Sequence, residues 1–148
     1  MHFQNQNVKI RPARPGDIPR IAVLSGELGY PTSVEEMKLR FAQIKPANAH
    51  AVFVAQFKKE VIGWIHVSVT PLLEVARRAE VNGLIVAEGY RSSGAGAKLL
   101  DAAEHWARKK KCTGMSVRSN VIRERAHAFY ERQGYVLGKT QKAFRKPL

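Results

Sequence analysis

The most constraining feature of this sequence is an apolar run, a glycine-containing loop and a long amphipathic pattern that follow one another directly. The run Leu84-Ile85-Val86 is typical of a buried strand, and it leads into Arg91-Ser92-Ser93-Gly94-Ala95-Gly96. From Leu99 to Ala107, apolar side chains recur at helical spacing, which predicts a helix with one buried stripe. A helix that begins at such a loop directs its first free N–H groups at a ligand, and a pyrophosphate suits those groups.

Two better-known phosphate loops do not fit this segment. A P-loop needs Gly-Lys followed by Ser or Thr, whereas Gly96 is followed by Ala97 and Lys98. A dinucleotide-binding loop needs a third glycine at the position where this chain has Leu99. Two glycines at a helix start also occur in an ordinary tight turn, so the loop alone leaves both interpretations open.

Strand and helix patterns alternate along the rest of the chain. Helices are expected after Asp17, a candidate N-cap, and after Ser33, which forms a capping box with Glu36. A last helix is expected over residues 122–133. Strands are expected over residues 8–13, 51–57, 61–70, 77–87 and 113–117, with two terminal strands over 135–137 and 142–145. This order predicts one α/β domain, residues 1–148, built around a mixed sheet.

Composition and charge limit the class of protein. The 148 residues are 45% hydrophobic, which is enough for a core, and Cys112 is the only cysteine, so an internal disulfide is excluded. There is no apolar run long enough for a spanning helix and no N-terminal apolar segment, and we therefore expect a soluble, cytoplasmic protein.

The net charge of +13 is concentrated at the C-terminal end, where residues 105–148 contain 12 Lys and Arg and two acids. Such an excess favours a polyanionic partner, either nucleic acid, a membrane surface or a phosphorylated cofactor, and it is also compatible with a solvated surface. Residues 108–111 have a local explanation as well, because cations are favoured at the negative end of a helix.

Two motifs together resemble the GNAT family of acetyl-CoA-dependent N-acetyltransferases. They are Arg-x-x-Gly-x-Gly after the Leu-Ile-Val strand and Phe129-Tyr130-Glu-Arg-Gln-Gly134-Tyr135 about forty residues later. The resemblance extends from Val8 to the C-terminus. It implies the GNAT fold, a mixed twisted sheet of six to seven strands splayed between the fourth and fifth, with about four flanking helices. GNAT proteins are commonly dimers, so a homodimer is expected.

The resemblance also implies how acetyl-CoA binds. Its pantetheine would pair with the backbone of Leu84, Ile85 and Val86, and its pyrophosphate would meet the N–H groups of residues 91–96, namely Arg91, Ser92, Ser93, Gly94, Ala95 and Gly96. Phe129 is assigned to the same cofactor site. Coenzyme A would then supply the polyanion that the basic C-terminal half attracts.

Transfer of an acetyl group to an amine makes three chemical demands. The amine must lose a proton, because its ammonium form has a pKa of about 10.4 and is not nucleophilic. Glu80 is the candidate base, acting through water; a surface ion pair with Arg77 or Arg78 explains it equally well. Strand alternation places Glu80 on one face with Asn82, Leu84 and Val86, unless a bulge intervenes.

The other two demands concern the oxyanion and the leaving thiolate. A backbone N–H near Val86 would stabilise the oxyanion. The resemblance assigns the proton for the thiolate to Tyr130, four residues before Gly134; the alternative is an aromatic packed in the core beside Phe129.

One position departs from the family pattern. Family members often have an asparagine seven residues before this tyrosine, where the chain has Arg123, while Asn120 lies ten residues before it. Both residues are therefore candidates for cofactor contact. The segment 120–130 is more similar to the members that acetylate small amines than to those that acetylate ribosomal proteins. In such members Glu27 and Tyr30 would lie in the substrate wall, although Tyr30 could equally pack its own loop.

No metal is implied, because the five histidines do not form a His-Glu-x-x-His pattern, and Cys112 lacks an evident base to make it a nucleophile. The rival hypothesis from another class is a non-catalytic module with a basic nucleic-acid-binding face. Basic charge without a recognised motif gives mainly non-specific affinity, so we expect a small-molecule amine as partner and no specific nucleic acid.

Overall fold

The computed structural model describes residues 7–44, 48–91, 93–118 and 124–148. The chain forms two compact units, Met1–Val117 and Arg118–Leu148. In the residues described, the first unit contains a five-stranded sheet and three helices, and the second contains one helix.

The strands and helices follow the predicted order. The strands are β1 (Val8–Pro12), β2 (His50–Phe57), β3 (Glu60–Val69), β4 (Arg78–Val86) and β5 (Gly114–Val117). The helices are α1 (Ile18–Glu27), α2 (Val34–Ile44), α3 (Ala95–Lys109) and α4 (Glu124–Arg132), with 3-10 turns at Pro15–Asp17 and Glu88–Tyr90. The predicted capping box is confirmed at α2, where the Glu36 N–H donates to Ser33 Oγ over 3.1 Å.

The sheet is mixed, as predicted. Its strands lie in the order β1-β2-β3-β4-β5; neighbours are antiparallel as far as β4, and β4 pairs with β5 in parallel. A parallel pair needs a crossover connection, and α3 provides it.

Each face of the sheet packs against a different helix. Ile21 and Leu24 of α1 form a core cluster with Val54 and Ile85 on one face. On the other face, a Cβ added to Gly63 would lie 3.3 Å from Leu99 of α3, so that face is covered by α3. Both faces of the sheet are therefore buried where the two helices cross it.

A β-bulge changes which residues of β4 share a face. His66 of β3 is opposite Gly83, but the next residue, Val67, is opposite Val81, so Asn82 is an extra residue. An extra residue shifts the two-residue alternation by one, and every later side chain changes face. The expectation that Glu80 shares a face with Leu84 and Val86 is therefore wrong.

The two expected terminal strands do not form. Residues 133–148 contain neither strand nor helix, and the side chains of Val136, Leu137 and Phe144 are 91%, 77% and 89% exposed. The described sheet consequently has five strands rather than six or seven. Alternating apolar residues indicate only that a segment fits a pleated surface, and a strand forms only where a neighbouring strand supplies its hydrogen bonds.

A charged pair joins β1 to the entry of α1. Asp17 lies at the N-cap position, but its carboxylate does not cap α1. It accepts hydrogen bonds from the Arg11 guanidinium at 2.8 and 2.9 Å and from the Arg14 N–H at 2.8 Å. Although burial acts in the opposite direction, the hydrogen bonds from Arg11 hold the pKa of Asp17 below its usual value.

We predict that Asp17→Asn lowers the free energy of unfolding by about 2 kcal/mol at pH 7, because charge-assisted hydrogen bonds of this kind are lost. The native pKa of Asp17 is below that of the unfolded chain, so the stabilisation exists above the unfolded pKa, about 3.9, and disappears as pH falls through the native value. Urea unfolding at several pH values measures the difference. Asp101→Asn, an exposed site on α3, is the control; equal effects of the two changes at pH 7 would contradict the prediction.

Candidate active site

The edge of β4 that faces β5 is only partly paired. The β4–β5 ladder joins Arg78 to Gly114 and ends where Val81 lies opposite Val117. In the part of the chain that is described, β4 continues for five more residues, to Val86, without a strand on that side. Unpaired N–H and C=O groups at such an edge are available to a ligand.

The direction of the backbone identifies which residues present those groups. The Ala87 N–H donates to the Ile62 C=O over 2.7 Å and so points at β3. Because alternate residues point their main-chain groups to opposite edges, those of Ile85 also point at β3, whereas those of Leu84 and Val86 point at the open edge. The Val86 C=O accepts a hydrogen bond of 3.3 Å from Arg91 Nε at this edge. Ile85 instead places its side chain in the core with α1.

The glycine loop directly follows this open edge. Glu88–Tyr90 forms a 3-10 turn, and α3 begins at Ala95 with Gly94 as its N-cap. Gly94 has φ 84°, a left-handed conformation that a side chain disfavours. Ser93 is fully buried, and its Oγ accepts a hydrogen bond of 3.2 Å from the Ala95 N–H. Ser92 lies outside the described residues.

The electrostatics of the loop suit an anion. The N-terminus of α3 carries the positive end of the helix dipole, and its first turn contains no acidic residue. Arg91 adds a full positive charge in the loop. The loop is therefore suited to an anion, and its role as a pyrophosphate site stays a prediction.

Glu80 lies on β4 just before the ladder to β5 ends. It is half-buried, and its register partners are Ser68 on β3 and Ser116 on β5. The bulge at Asn82 places it on the sheet face that also carries Ile85 and receives α1. A carboxylate in this position is near the open edge and also near polar side chains.

Tyr130 belongs to α4, in the second unit. Its ring contacts those of Phe129 and Tyr135 in edge-on geometry, with centroids 5.2 and 5.8 Å away. Burial raises the pKa of Tyr130 to about 12, so the phenol keeps its proton at neutral pH. A protonated phenol is suited to donate a proton.

The remaining candidate residues are placed as follows. Glu27 and Tyr30 lie at the end of α1 and just beyond it, and both are exposed; the Tyr30 C=O accepts a hydrogen bond of 2.8 Å from Ser25 Oγ. Asn120 and Arg123 lie outside the described residues.

Among the residues described there is no group of three metal-ligating side chains and no helix able to cross a membrane.

Sequence reasoning missed a set of polar side chains beside Glu80. His50 on β2 and His66 and Ser68 on β3 lie on the same face as Glu80. The turn at Lys58 and Lys59 alone would set His50 opposite Val67. A β-bulge between the pairs of Ala55 and Gln56 shifts the register by one residue and brings His50 opposite Ser68, so no local sequence signal identified this neighbour.

Comparison with known proteins identifies the class of this fold. Residues 21–135 match the model of the Acetyltransferase (GNAT) family. An aminoglycoside N(6')-acetyltransferase type 1 from Klebsiella aerogenes is 27% identical over 146 residues, which cover 94% of this chain and 96% of that protein.

Solved structures agree with that match. A structure described as a transcriptional regulator from Bacillus halodurans has a TM-score of 0.83 and 25% identity, covering 94% of this chain and 99% of the other. The structure of AAC(6')-Iy with the bisubstrate analogue CoA-S-monomethyl-acetylneamine has a TM-score of 0.85 and 17% identity, with 95% and 99% covered. The fold and the match to the family model define an acyltransferase. The chain belongs to the GNAT acetyltransferase family.

Proposed function

We propose that this protein transfers the acetyl group of acetyl-CoA to a primary amine of a small molecule, by direct attack in a ternary complex. The observation that carries the proposal is the open edge of β4 at Leu84 and Val86, followed directly by the loop and the N-terminus of α3. An extended amide-containing chain ending in a pyrophosphate matches both parts. Residues 1–148 would act as one acetyltransferase domain in the cytoplasm and, as the resemblance implies, as a homodimer.

Three groups of the protein act in the proposed reaction: Glu80, the Val86 N–H and Tyr130. Glu80 takes a proton from the ammonium, directly or through water, and the free amine attacks the thioester carbon. The Val86 N–H stabilises the oxyanion as the nitrogen–carbon bond forms. The carbon–sulfur bond then breaks, Tyr130 gives its proton to the thiolate, and the second proton of the attacking nitrogen passes through solvent to restore the phenol. Burial keeps the phenol protonated before that step, as the assignment requires, although the raised pKa also makes Tyr130 a weaker acid than an exposed tyrosine.

The acceptor is proposed to be a polar, hydroxylated amine of the aminoglycoside class. The support is the Klebsiella aminoglycoside acetyltransferase, whose similarity to this chain extends over nearly the full length of both proteins. The Bacillus halodurans structure described as a transcriptional regulator favours the other candidate, a binding module with a basic nucleic-acid-binding face. The two candidates differ in the ligand that stabilises the protein.

We predict that acetyl-CoA stabilises the protein and that a DNA duplex does not. A ligand at about 100 times its dissociation constant adds about 2.7 kcal/mol, which raises the melting temperature of a domain of this size by about 5–10 °C. Thermal unfolding with acetyl-CoA, coenzyme A or DNA measures this. Gly94→Val removes the required backbone conformation and should abolish the shift, whereas Gly16→Ala, where an added Cβ has nothing within 4 Å, should keep it. Stabilisation by DNA alone would support the binding module instead.

Replacing Glu80 by Gln should lower the rate of acetyl transfer by about 10²-fold at pH 7, because the amine is no longer deprotonated by the enzyme. The loss should shrink as the pH approaches the amine pKa, since the free base then forms in solution. Release of coenzyme A thiol as a function of pH measures both effects. Glu74→Gln, in the exposed loop before β4, is the control. A profile for Glu80→Gln that matches the unchanged enzyme would remove Glu80 as base.

For Tyr130→Phe we expect turnover to fall by about 10²-fold while the affinity for acetyl-CoA changes little, because only the proton donor is lost. The comparison is Tyr135→Phe, which removes a hydroxyl from the ring that contacts Tyr130. Steady-state rates and acetyl-CoA binding are measured for both variants. Equal turnover in the two would exclude Tyr130 as the acid.

A further inference from the structure

Tyr90 joins the loop before α3 to the end of the β2–β3 hairpin. It is the last residue of the 3-10 turn and directly precedes Arg91. Its hydroxyl donates a hydrogen bond to Glu60 Oε2 over 3.2 Å, and its ring centroid lies 5.7 Å from that of Phe57. Phe57 and Glu60 are opposite each other at the hairpin turn. The end of one hairpin therefore holds both the ring and the hydroxyl of Tyr90.

Glu60 is held in turn by α1. Arg20 Nη2 lies 3.2 Å from Glu60 Oε1, and Arg20 Nε donates a hydrogen bond of 2.9 Å to the Val61 C=O. The two carboxylate oxygens of Glu60 thus have different partners, Arg20 for Oε1 and Tyr90 for Oε2. A carboxylate that is bonded at both oxygens has a fixed orientation, so Arg20 determines where Tyr90 meets its acceptor.

Hydrogen bonds continue from Tyr90 to the first residue of α3. The Ser93 N–H donates to the Tyr90 C=O over 3.1 Å, and the Ala95 N–H donates to Ser93 Oγ over 3.2 Å. Ser93 is fully buried, so water does not readily replace these bonds. An unbroken series of contacts therefore runs from Arg20 on α1 to Ala95 at the start of α3.

We propose that Tyr90 is a positioning residue for acetyl-CoA, with Glu60 and Arg20 as its support. This rests on the proposed function, in which the loop of residues 91–96 meets the pyrophosphate. Tyr90 need not touch the cofactor, because it acts by fixing the turn from which that loop starts. A loop that already has its bound conformation in the free protein binds more tightly, since less freedom is lost on binding.

The first test is the affinity for acetyl-CoA, measured by calorimetric titration. Tyr90→Phe removes the hydroxyl and keeps the ring against Phe57. We expect it to raise the Kd for acetyl-CoA about fivefold, as the loss of one hydrogen bond would, and to leave kcat at saturating acetyl-CoA within about twofold. Glu60→Ala should raise the Kd to the same extent. Glu74→Ala, in the exposed loop before β4, is the control and should not change it.

Two further variants show whether the hydrogen bond itself matters. Glu60→Gln can keep both contacts, because its Oε1 can accept from Arg20 while its Nε2 donates to the Tyr90 hydroxyl, and it should retain most of the affinity. If the two residues act through their mutual bond, the double variant Tyr90→Phe with Glu60→Ala should bind about as either single variant does, not about 25-fold more weakly. Additive effects, or a Kd for Tyr90→Phe equal to that of the unchanged protein, would overturn the inference.

Amide hydrogen exchange tests the positioning role without any cofactor. In Tyr90→Phe the N–H groups of Ser93 and Ala95 should exchange about fivefold faster, because their protection depends on how often the turn opens. The Lys110 N–H, which donates to the Trp106 C=O at the other end of α3, should keep its rate. Weaker binding of acetyl-CoA with unchanged exchange at Ser93 and Ala95 would overturn the positioning role.

The outcomes also distinguish this inference from the function on which it rests. Binding of acetyl-CoA with equal affinity by Tyr90→Phe and the unchanged protein would remove the role of Tyr90 and leave the proposed function intact. Failure of the unchanged protein to bind acetyl-CoA would remove the proposed function, and the role of Tyr90 with it, whatever the exchange rates are.

Discussion

The structure depends on the early end of the parallel ladder between β4 and β5. Pairing ends at Val81 and Val117, while β4 continues to Val86 and then enters the loop before α3. Among the residues described, β4 has no strand partner on that side beyond Val81, and unpaired backbone groups at a sheet edge are available to a ligand. The same strand therefore contributes to the core through its pairing with β3, and its other edge is the one on which the proposed function depends.

The bulge at Asn82 decides which side chains of β4 lie on which face of the sheet. Before the bulge, β4 directs Glu80 toward the face under α1; after it, Leu84 and Val86 are turned to the opposite face. If β4 alternated regularly along these same residues, without a bulge, Glu80 would share a face with Leu84 and Val86. The bulge thus places the carboxylate opposite Ser68, on the face that receives α1.

The positive charge of the C-terminal half has a local explanation in part. Arg108 and Lys109 lie in the last turn of α3, where they oppose the negative end of the helix dipole. Lys110 lies 5.7 Å from the Trp106 ring, in a cation–π contact. Four further cations, Lys139, Lys142, Arg145 and Lys146, lie in residues 136–148, which are exposed and contain no strand or helix. Charge of this kind supports general attraction of anions more readily than recognition of one sequence or shape.

The sequence by itself determined the order of strands and helices, the loop before α3 and the family. Those features are local, because helical spacing, capping residues and a glycine at a left-handed position act within a few residues. Only the tertiary structure decided which face Glu80 occupies, which backbone groups are open, and that His50 lies opposite Ser68. Each of these depends on register between strands, and one extra residue reverses it. The terminal strands were mispredicted for the same reason, since a strand requires a partner that its own residues cannot specify.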